Sequence, residues 1–338
     1  MKLRATERFA IFVLTLLTAP LAAQAQQAGG IPSVGILFHS SPVSDMTGSD
    51  PRHPYLKGFI QGLREQGYVE GKSVRIERRS AEGRPDRLPA LAAELAGLKV
   101  DVIVTTTLAT IEAARRATNT IPIVMASGPP DPVQSGLVAS LARPSGNITG
   151  LTLSTSWAMA GKRLELLKEA APRVSRVAVL HSGTDPQWPA LWEPVQAAAR
   201  ALGLALLFAK VDEPDDFPRA FAAATQAKAD ALLVSETAET FVRQRLVIDF
   251  AARHRLPAIY AYTDSVQAGG LMGYGTDYVD LFRRAATHVA RILKGARPGD
   301  LPVEQPIKFA LAINLKTAEA LGLTLPPALL LRTDRLIE

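Results

Sequence analysis

Apolar residues in this chain fall into short unbroken runs that alternate with stretches of helical spacing. Ser33–Phe38 is an apolar run of the length a buried parallel strand needs. Between Tyr55 and Gln66 the apolar positions are Leu56, Phe59, Ile60 and Leu63, one face of a helix, and Gly67 stands where a helix commonly ends. Further on, Ser73–Glu77 predicts a strand, Pro85–Leu98 a helix, Val100–Thr105 a strand, Leu108–Ala117 a helix and Ile121–Ala126 a strand. The same alternation resumes with strands at Val177–Leu180, Ala205–Phe208, Ala231–Val234 and Ala258–Tyr260. Helical spacing lies around them at Ala160–Ala171, Ala190–Leu202, Phe217–Ala227 and Phe241–Arg253. Repeated strand–helix units imply an α/β class, with doubly wound parallel sheets covered by helices on both faces. The two halves share their element order. Between them, Arg143–Gly150 reads Arg-Pro-Ser-Gly-Asn-Ile-Thr-Gly, a composition that suits a hinge or an ordinary surface turn.

The first 25 residues follow a different grammar. Lys2, Arg4 and Arg8 precede an apolar run from Phe9 to Leu17, and Ala23-Gln24-Ala25 offers small residues where a signal peptidase reads. Residues 1–25 are therefore expected to be a signal peptide cut before Gln26. The run is too short for about 30 Å of hydrocarbon, and Pro20 interrupts it, so a membrane anchor is the poorer reading. Its removal takes away three basic side chains and Glu7, and the net charge falls from +6 to +4. There is no cysteine, hence neither a disulfide nor a lipoprotein attachment site. A signal peptide with no lipid and no anchor implies free diffusion in the periplasm, with no membrane insertion of the mature chain, and the protein is expected to be a monomer. At 338 residues it has room for about two domains. No dense Lys/Arg run suits nucleic acid.

Motifs for demanding chemistry are missing. The sequence has no phosphate-binding loop, no Gly-x-Gly-x-x-Gly after the first strand and no Gly-x-Ser-x-Gly elbow. Gly273-Tyr274-Gly275 is only a fragment of a dinucleotide fingerprint. The histidines, His39, His53, His181, His254 and His288, are scattered, with no pair suited to zinc. No cofactor, metal or catalytic group is expected. What the sequence offers instead is small polar residues at strand ends, where open parallel sheets bind ligands. Thr106 and Thr107 end the third predicted strand, Ser127 and Asp131 follow the fourth, and Ser40 opens a long loop after the first. Their hydroxyls and the N–H groups of a helix start suit a carboxylate, although Thr106 or Thr107 equally serves as an N-cap. In the second half, His181, Ser235, Glu236 and Tyr260 hold matching positions. Glu236 suits a ligand amine or is a solvated loop acid, and Tyr260 or Tyr262 suits an apolar ligand body or sheet-edge packing. Trp157, after the polar Ser154-Thr155-Ser156, and Tyr274 complete the candidate set, whereas Trp188 and Trp192, four apart, suit helix packing.

Several stretches resemble one family in their order along the chain. They are Ile121-Pro-Ile-Val-Met125, Asp131-Pro132-Val133, Gly136-Leu137-Val138 and Pro144-Ser-Gly-Asn-Ile-Thr-Gly-Leu151. Gly161-Lys-Arg-Leu-Glu-Leu-Leu-Lys168, Ala268-Gly-Gly-Leu-Met-Gly-Tyr-Gly275 and Ile313-Asn-Leu-Lys-Thr-Ala-Glu-Ala-Leu-Gly-Leu323 continue the match. Together they resemble the ABC-transporter substrate-binding proteins of the tryptophan/tyrosine-binding type. The resemblance implies a type I periplasmic-binding fold, two Rossmann-like lobes joined by three crossovers. These would fall near Gly146–Thr149, Gly269–Gly275 and Glu304–Lys308. Residues 33–147 plus 276–304 would form the N-terminal lobe and 148–270 plus 306–338 the C-terminal lobe, with the ligand cleft between them. It also implies binding by lobe closure rather than catalysis, a small organic ligand such as an amino acid or aromatic acid, and as partners a membrane permease with its separate ATPase. A sensory ligand-binding protein that feeds a receptor kinase or chemoreceptor would look the same in sequence.

Overall fold

Two sheets organise the chain in this computed structural model, which describes residues 30–153, 159–183, 188–211 and 216–338. The expected signal peptide, residues 1–25, and Trp157 lie outside the described residues. The first half contains β1 (Ser33–Phe38), α1 (Val43–Met46), α2 (Pro54–Glu65), β2 (Arg75–Ser80), α3 (Leu88–Gly97), β3 (Val102–Thr105), α4 (Leu108–Ala117), β4 (Ile123–Gly128) and β5 (Ile148–Thr152). The strands form a parallel sheet in the order β2-β1-β3-β4-β5. β1, β3, β4 and β5 are buried along their whole length. β2 is an edge strand with Arg75, Glu77, Arg78 and Arg79 only partly covered or exposed, so its apolar signal is weak and the expected span of 73–77 falls short of it.

The chain continues through α5 (Ala160–Ala170), β6 (Arg176–His181), α6 (Trp188–Ala201), β7 (Ala205–Lys210), α7 (Asp216–Gln226), β8 (Ala231–Val234), α8 (Ala238–Val242), α9 (Gln244–Arg253) and β9 (Ala258–Tyr260). Then come α10 (Asp264–Gln267), β10 (Met272–Thr276), α11 (Tyr278–Leu293), β11 (Phe309–Asn314), α12 (Leu315–Ala320), α13 (Pro327–Leu331) and β12 (Arg335–Ile337). The second sheet has the order β12-β11-β10-β9-β8-β6-β7. It is parallel except at β10–β11, where an all-parallel sheet was expected. The exception has a topological cause. The chain leaves this sheet at Thr276 to build α11 on the first sheet and re-enters at Phe309, the residue paired with Thr276. The single helix expected over Phe241–Arg253 is broken at Arg243 into α8 and α9. Among the described residues, no helix is long and apolar enough to cross a membrane.

Close helix packing places α11 on the first lobe. A Cβ at Gly58 would stand 2.8 Å from the Val279 carbonyl oxygen, and one at Gly62 only 2.4 Å from that of Arg283. With bare glycines the two helices meet, and Phe59, Ile60 and Leu63 of α2 bury against Phe282, Ala286 and Val289 of α11. The chain segments that join the sheets are also bonded to one another. The Thr152 and Glu304 amides donate to the carbonyls of Glu304 and Gly150 respectively, each at 2.9 Å, and the Asp277 amide donates to the Lys308 carbonyl at 3.1 Å. One boundary moves. A second lobe beginning at residue 148 would take in Ile148–Thr152, but these residues pair with β4 in the first sheet. Polar, glycine-rich composition hides this strand. Its Thr149 hydroxyl is satisfied internally, donating to the Leu301 carbonyl at 2.7 Å.

Candidate functional site

β1, β3 and β4 of the first sheet and β8 and β9 of the second end at a shared cleft of about 330 Å³. The first lobe contributes Ser40, Thr106, Thr107 and Ser127 to its wall, and the second contributes Glu236, Thr237 and Tyr262. The strand ends therefore bring together five of the sequence candidates, Ser40, Thr106, Thr107, Ser127 and Glu236, in one cavity.

The threonines are already hydrogen-bonded. The amides of Thr106 and Thr107 donate to Thr110 Oγ1 at 3.0 and 2.9 Å, and Thr107 Oγ1 accepts from the Thr110 amide at 3.3 Å. This is a reciprocal cap on α4, so these two amides are not the free pair that the strand end suggested. Ser127 Oγ donates to the Thr106 carbonyl at 2.6 Å and ties the β3 and β4 ends together. The second lobe repeats the device. Thr237 Oγ1 accepts from the Thr240 amide at 3.2 Å, and Thr240 Oγ1 donates to the Ser235 carbonyl at 2.7 Å. Replacing Thr107 with valine is accordingly expected to lower stability by about 1 kcal/mol in a denaturant titration. Unchanged stability with weakened ligand binding would instead assign the hydroxyl to the ligand.

Aromatic rings form the cleft's apolar surface. Tyr55 and Tyr278 stack with centroids 5.0 Å apart and planes 20° from parallel. Tyr262 continues the row at 5.8 Å from Tyr278, and Phe241 meets Tyr262 edge-on at 4.9 Å. On the other side His53 stands edge-on to Tyr55 at 5.2 Å and to Phe38 at 4.9 Å. Sequence reading weighed Tyr262 but missed Tyr55 and Tyr278. Only the packing of α2 on α11 makes those two neighbours, and no local motif marks it.

Charge sits beneath these rings. The Tyr278 hydroxyl donates to Glu236 Oε1 in a short hydrogen bond, and the Tyr55 hydroxyl donates likewise to Asp264. Glu236 Oε2 lies 3.9 Å from Arg163 Nη2, with the two side chains only 3% and 2% exposed. Burial pushes the Glu236 carboxyl above its ordinary range, while the Arg163 charge and the Tyr278 hydroxyl pull it back. Burial, and then the neighbouring carboxylates, push the hydroxyls of Tyr55 and Tyr278 well up, so both stay protonated as donors. The cleft thus offers an aromatic face, a buried carboxylate and the hydroxyls of the first lobe.

The remaining candidates stand elsewhere. Asp131 is exposed and folds its own loop, its Oδ1 accepting from the amides of Val133 and Gln134 at 3.1 and 2.8 Å. His181 and Ser235 are buried at the ends of their strands, outside the cleft lining. Tyr260 packs inside the second lobe with Phe250 and Val247 in the same apolar cluster, because β9 is buried on both faces. The Tyr274 ring packs near Phe309 and joins the other apolar cluster of that lobe, outside the cleft lining, and its carbonyl accepts from Arg163 Nε at 2.6 Å. Trp192 packs on Phe208 at 5.9 Å.

This architecture has relatives. A tyrosine-binding protein of Clostridioides difficile (strain R20291) is 27% identical over 275 residues, covering 80% of this chain and 78% of that protein. The structure of an ABC domain in complex with L-Trp from Streptococcus pneumonia superposes with a TM-score of 0.77 at 26% identity, over 91% of this chain and all of that one. A conserved domain protein from Vibrio cholerae O1 biovar eltor reaches a TM-score of 0.75 at 28% identity with the same coverage. The profile of the ABC transporter substrate binding protein family matches residues 43–337, from the start of α1 to β12. With two α/β lobes, a cleft at their strand ends and a match of that extent, the chain belongs to the ABC transporter substrate-binding protein family.

Proposed function

We propose that this protein is the extracytoplasmic receptor of an ABC importer and that it captures an aromatic amino acid by closing its two lobes. The observation that carries this reading is the pairing, within one cleft, of the Tyr55–Tyr278–Tyr262 row with the buried carboxylate of Glu236. The rings offer an aromatic side chain a stacking surface. Glu236 offers its ammonium a charge-assisted acceptor, and the Ser40 and Thr107 hydroxyls of the first lobe offer its carboxylate donors. A cleft of about 330 Å³ is at the small end for ligand sites, which favours a single amino acid over a peptide. The tyrosine-binding and L-Trp-bound relatives support the same class. In this reading the protein works as a monomer in the periplasm after loss of residues 1–25, performs no chemistry on its ligand, and hands it to a membrane permease driven by a separate ATPase.

Lobe closure follows from a ligand that touches both walls, since all contacts are made only when the lobes are together. Calorimetry of the mature protein with L-tryptophan, L-tyrosine, L-phenylalanine and L-leucine tests the class. L-tryptophan or L-tyrosine is expected to bind with a Kd of about 1 μM or tighter, equivalent to about −8 kcal/mol. Small-angle scattering should then report a smaller radius of gyration with the ligand bound. No binding to any aromatic amino acid would refute the assignment, and a scattering profile unchanged at saturation would refute closure.

A further inference from the structure

Arg163 is an unusual residue to find inside a protein. It lies in the first turn of α5, is 1% exposed, and stands behind Glu236 rather than in the cleft wall. Its Nε donates to the Tyr274 carbonyl at 2.6 Å, which anchors the guanidinium to β10. β10 comes close because Gly275 has no side chain. A Cβ there would fall 2.1 Å from the Ala261 carbonyl oxygen and 3.4 Å from Arg163 Nη2. The glycines flanking Tyr274, which in sequence look like a piece of a nucleotide motif, instead leave room for the turn after β9 and for this arginine.

We propose that Arg163 is a positioning residue for ligand capture: anchored on β10 behind the wall, it keeps the Glu236 carboxylate ionised and turned toward the cleft. The proposal rests on the amino-acid reading above. A carboxylate out of water tends to take up a proton, and a neutral carboxylic acid is a poor partner for an ammonium group. Among the described residues, the titratable and charged groups that face Glu236 are Arg163 from α5, Tyr278 from the start of α11, Tyr262 after β9 and Tyr55 from α2. Three of the four are neutral phenols, so Arg163 is the member of this set whose positive charge opposes protonation. Burial in turn lowers the guanidinium's own proton affinity, and Glu236 opposes that loss in part. The ion pair is mutual, and its open side is where a ligand cation arrives.

The test uses the whole mature protein with and without ligand. Carboxyl carbon NMR of the ligand-free protein, with Glu236 assigned by comparison with E236Q, reads its titration midpoint directly. In Arg163→Gln the midpoint is expected to rise by at least about one pH unit, a tenfold change in proton affinity. Arg163→Lys keeps the charge but lacks the Nε anchor and sets the cation back, so a smaller rise is expected. The pH at which affinity for L-tryptophan or L-tyrosine is half lost on acidification should move up in the same order. A purely structural arginine would weaken binding at every pH alike. An unmoved midpoint in Arg163→Gln overturns the proposal, and should that variant not fold, an unmoved midpoint in Arg163→Lys does so. If the wild-type protein binds neither amino acid while the midpoint still moves, the amino-acid reading fails and the control of Glu236 by Arg163 stands on the titration.

Discussion

Replacing Glu236 with glutamine is expected to weaken binding of L-tryptophan or L-tyrosine by about a hundredfold and to lower stability by about 3 kcal/mol. Both effects come from one deletion of charge. In the cleft, the ligand ammonium loses an ionic acceptor, and truncating one partner of a desolvated charge pair costs about 2–5 kcal/mol of binding. Behind the wall, Arg163 is left with its charge buried 3.9 Å from a neutral amide. Breaking a buried pair from one side costs about 3–5 kcal/mol because the surviving charge stays desolvated. The double variant Arg163→Met with Glu236→Gln removes both charges and should recover part of the lost stability but none of the affinity. Calorimetry and denaturant titration on the same preparations separate the two effects. A Kd unchanged in Glu236→Gln would place the ammonium elsewhere, and a double variant less stable than the single would deny the pairing.

Gly150→Val is expected to cost at least about 4 kcal/mol, a large share of the 5–15 kcal/mol that holds a typical domain together. Two penalties coincide at this residue of β5. Its φ is +127°, a region a β-branched side chain does not tolerate, and a Cβ there would lie 2.2 Å from the carbonyl oxygen and 2.5 Å from the nitrogen of Met125. The neighbouring backbone is the core strand β4 and cannot yield. Gly146 supplies the control. Its φ is +103°, yet nothing stands within 4 Å of a Cβ built on it, so Gly146→Ala meets conformational strain without collision and should cost about 1–2 kcal/mol. Thermal unfolding of both variants reads the contrast, and equal losses would show that the contact with Met125 is not what matters.

How far the fold was legible in the sequence depended on where each element is buried. Ser33–Phe38, Ala231–Val234 and Ala258–Tyr260 are covered on both faces, and their uninterrupted apolar runs mark them to the residue. Leu108–Ala117 was equally plain because an amphipathic face follows a threonine cap. β5 was not, because Thr149 and Gly150 meet needs set by Leu301 and Met125, far away in the chain. α11 carries a regular apolar face through Leu281, Phe282, Ala285 and Val289, but its period does not say which lobe it covers. The site divides in the same way. Strand ends point to Thr106, Thr107, Ser127 and Glu236, since that rule is topological. The same rule also picks His181, Ser235 and Tyr260, whose places inside the second lobe depend on which way each side chain faces. Tyr55 and Tyr278 depend on a long-range helix contact and were invisible locally. The commitment of the Thr106 and Thr107 amides was readable, since Thr110 stands three residues after Thr107 at the spacing of a reciprocal cap.

The packing of α11 on α2 also bears on how the chain is made. Phe59, Ile60 and Leu63 emerge early in synthesis, but the helix that covers them ends at Leu293, after most of the second lobe. The first sheet can pair its five strands beforehand, yet one face of its core stays open to water until then. Contacts of such long sequence separation close slowly, because the intervening loop must first be ordered. Completion of the first lobe therefore waits on nearly the whole polypeptide, and the nascent chain is held back from its final form over most of its length.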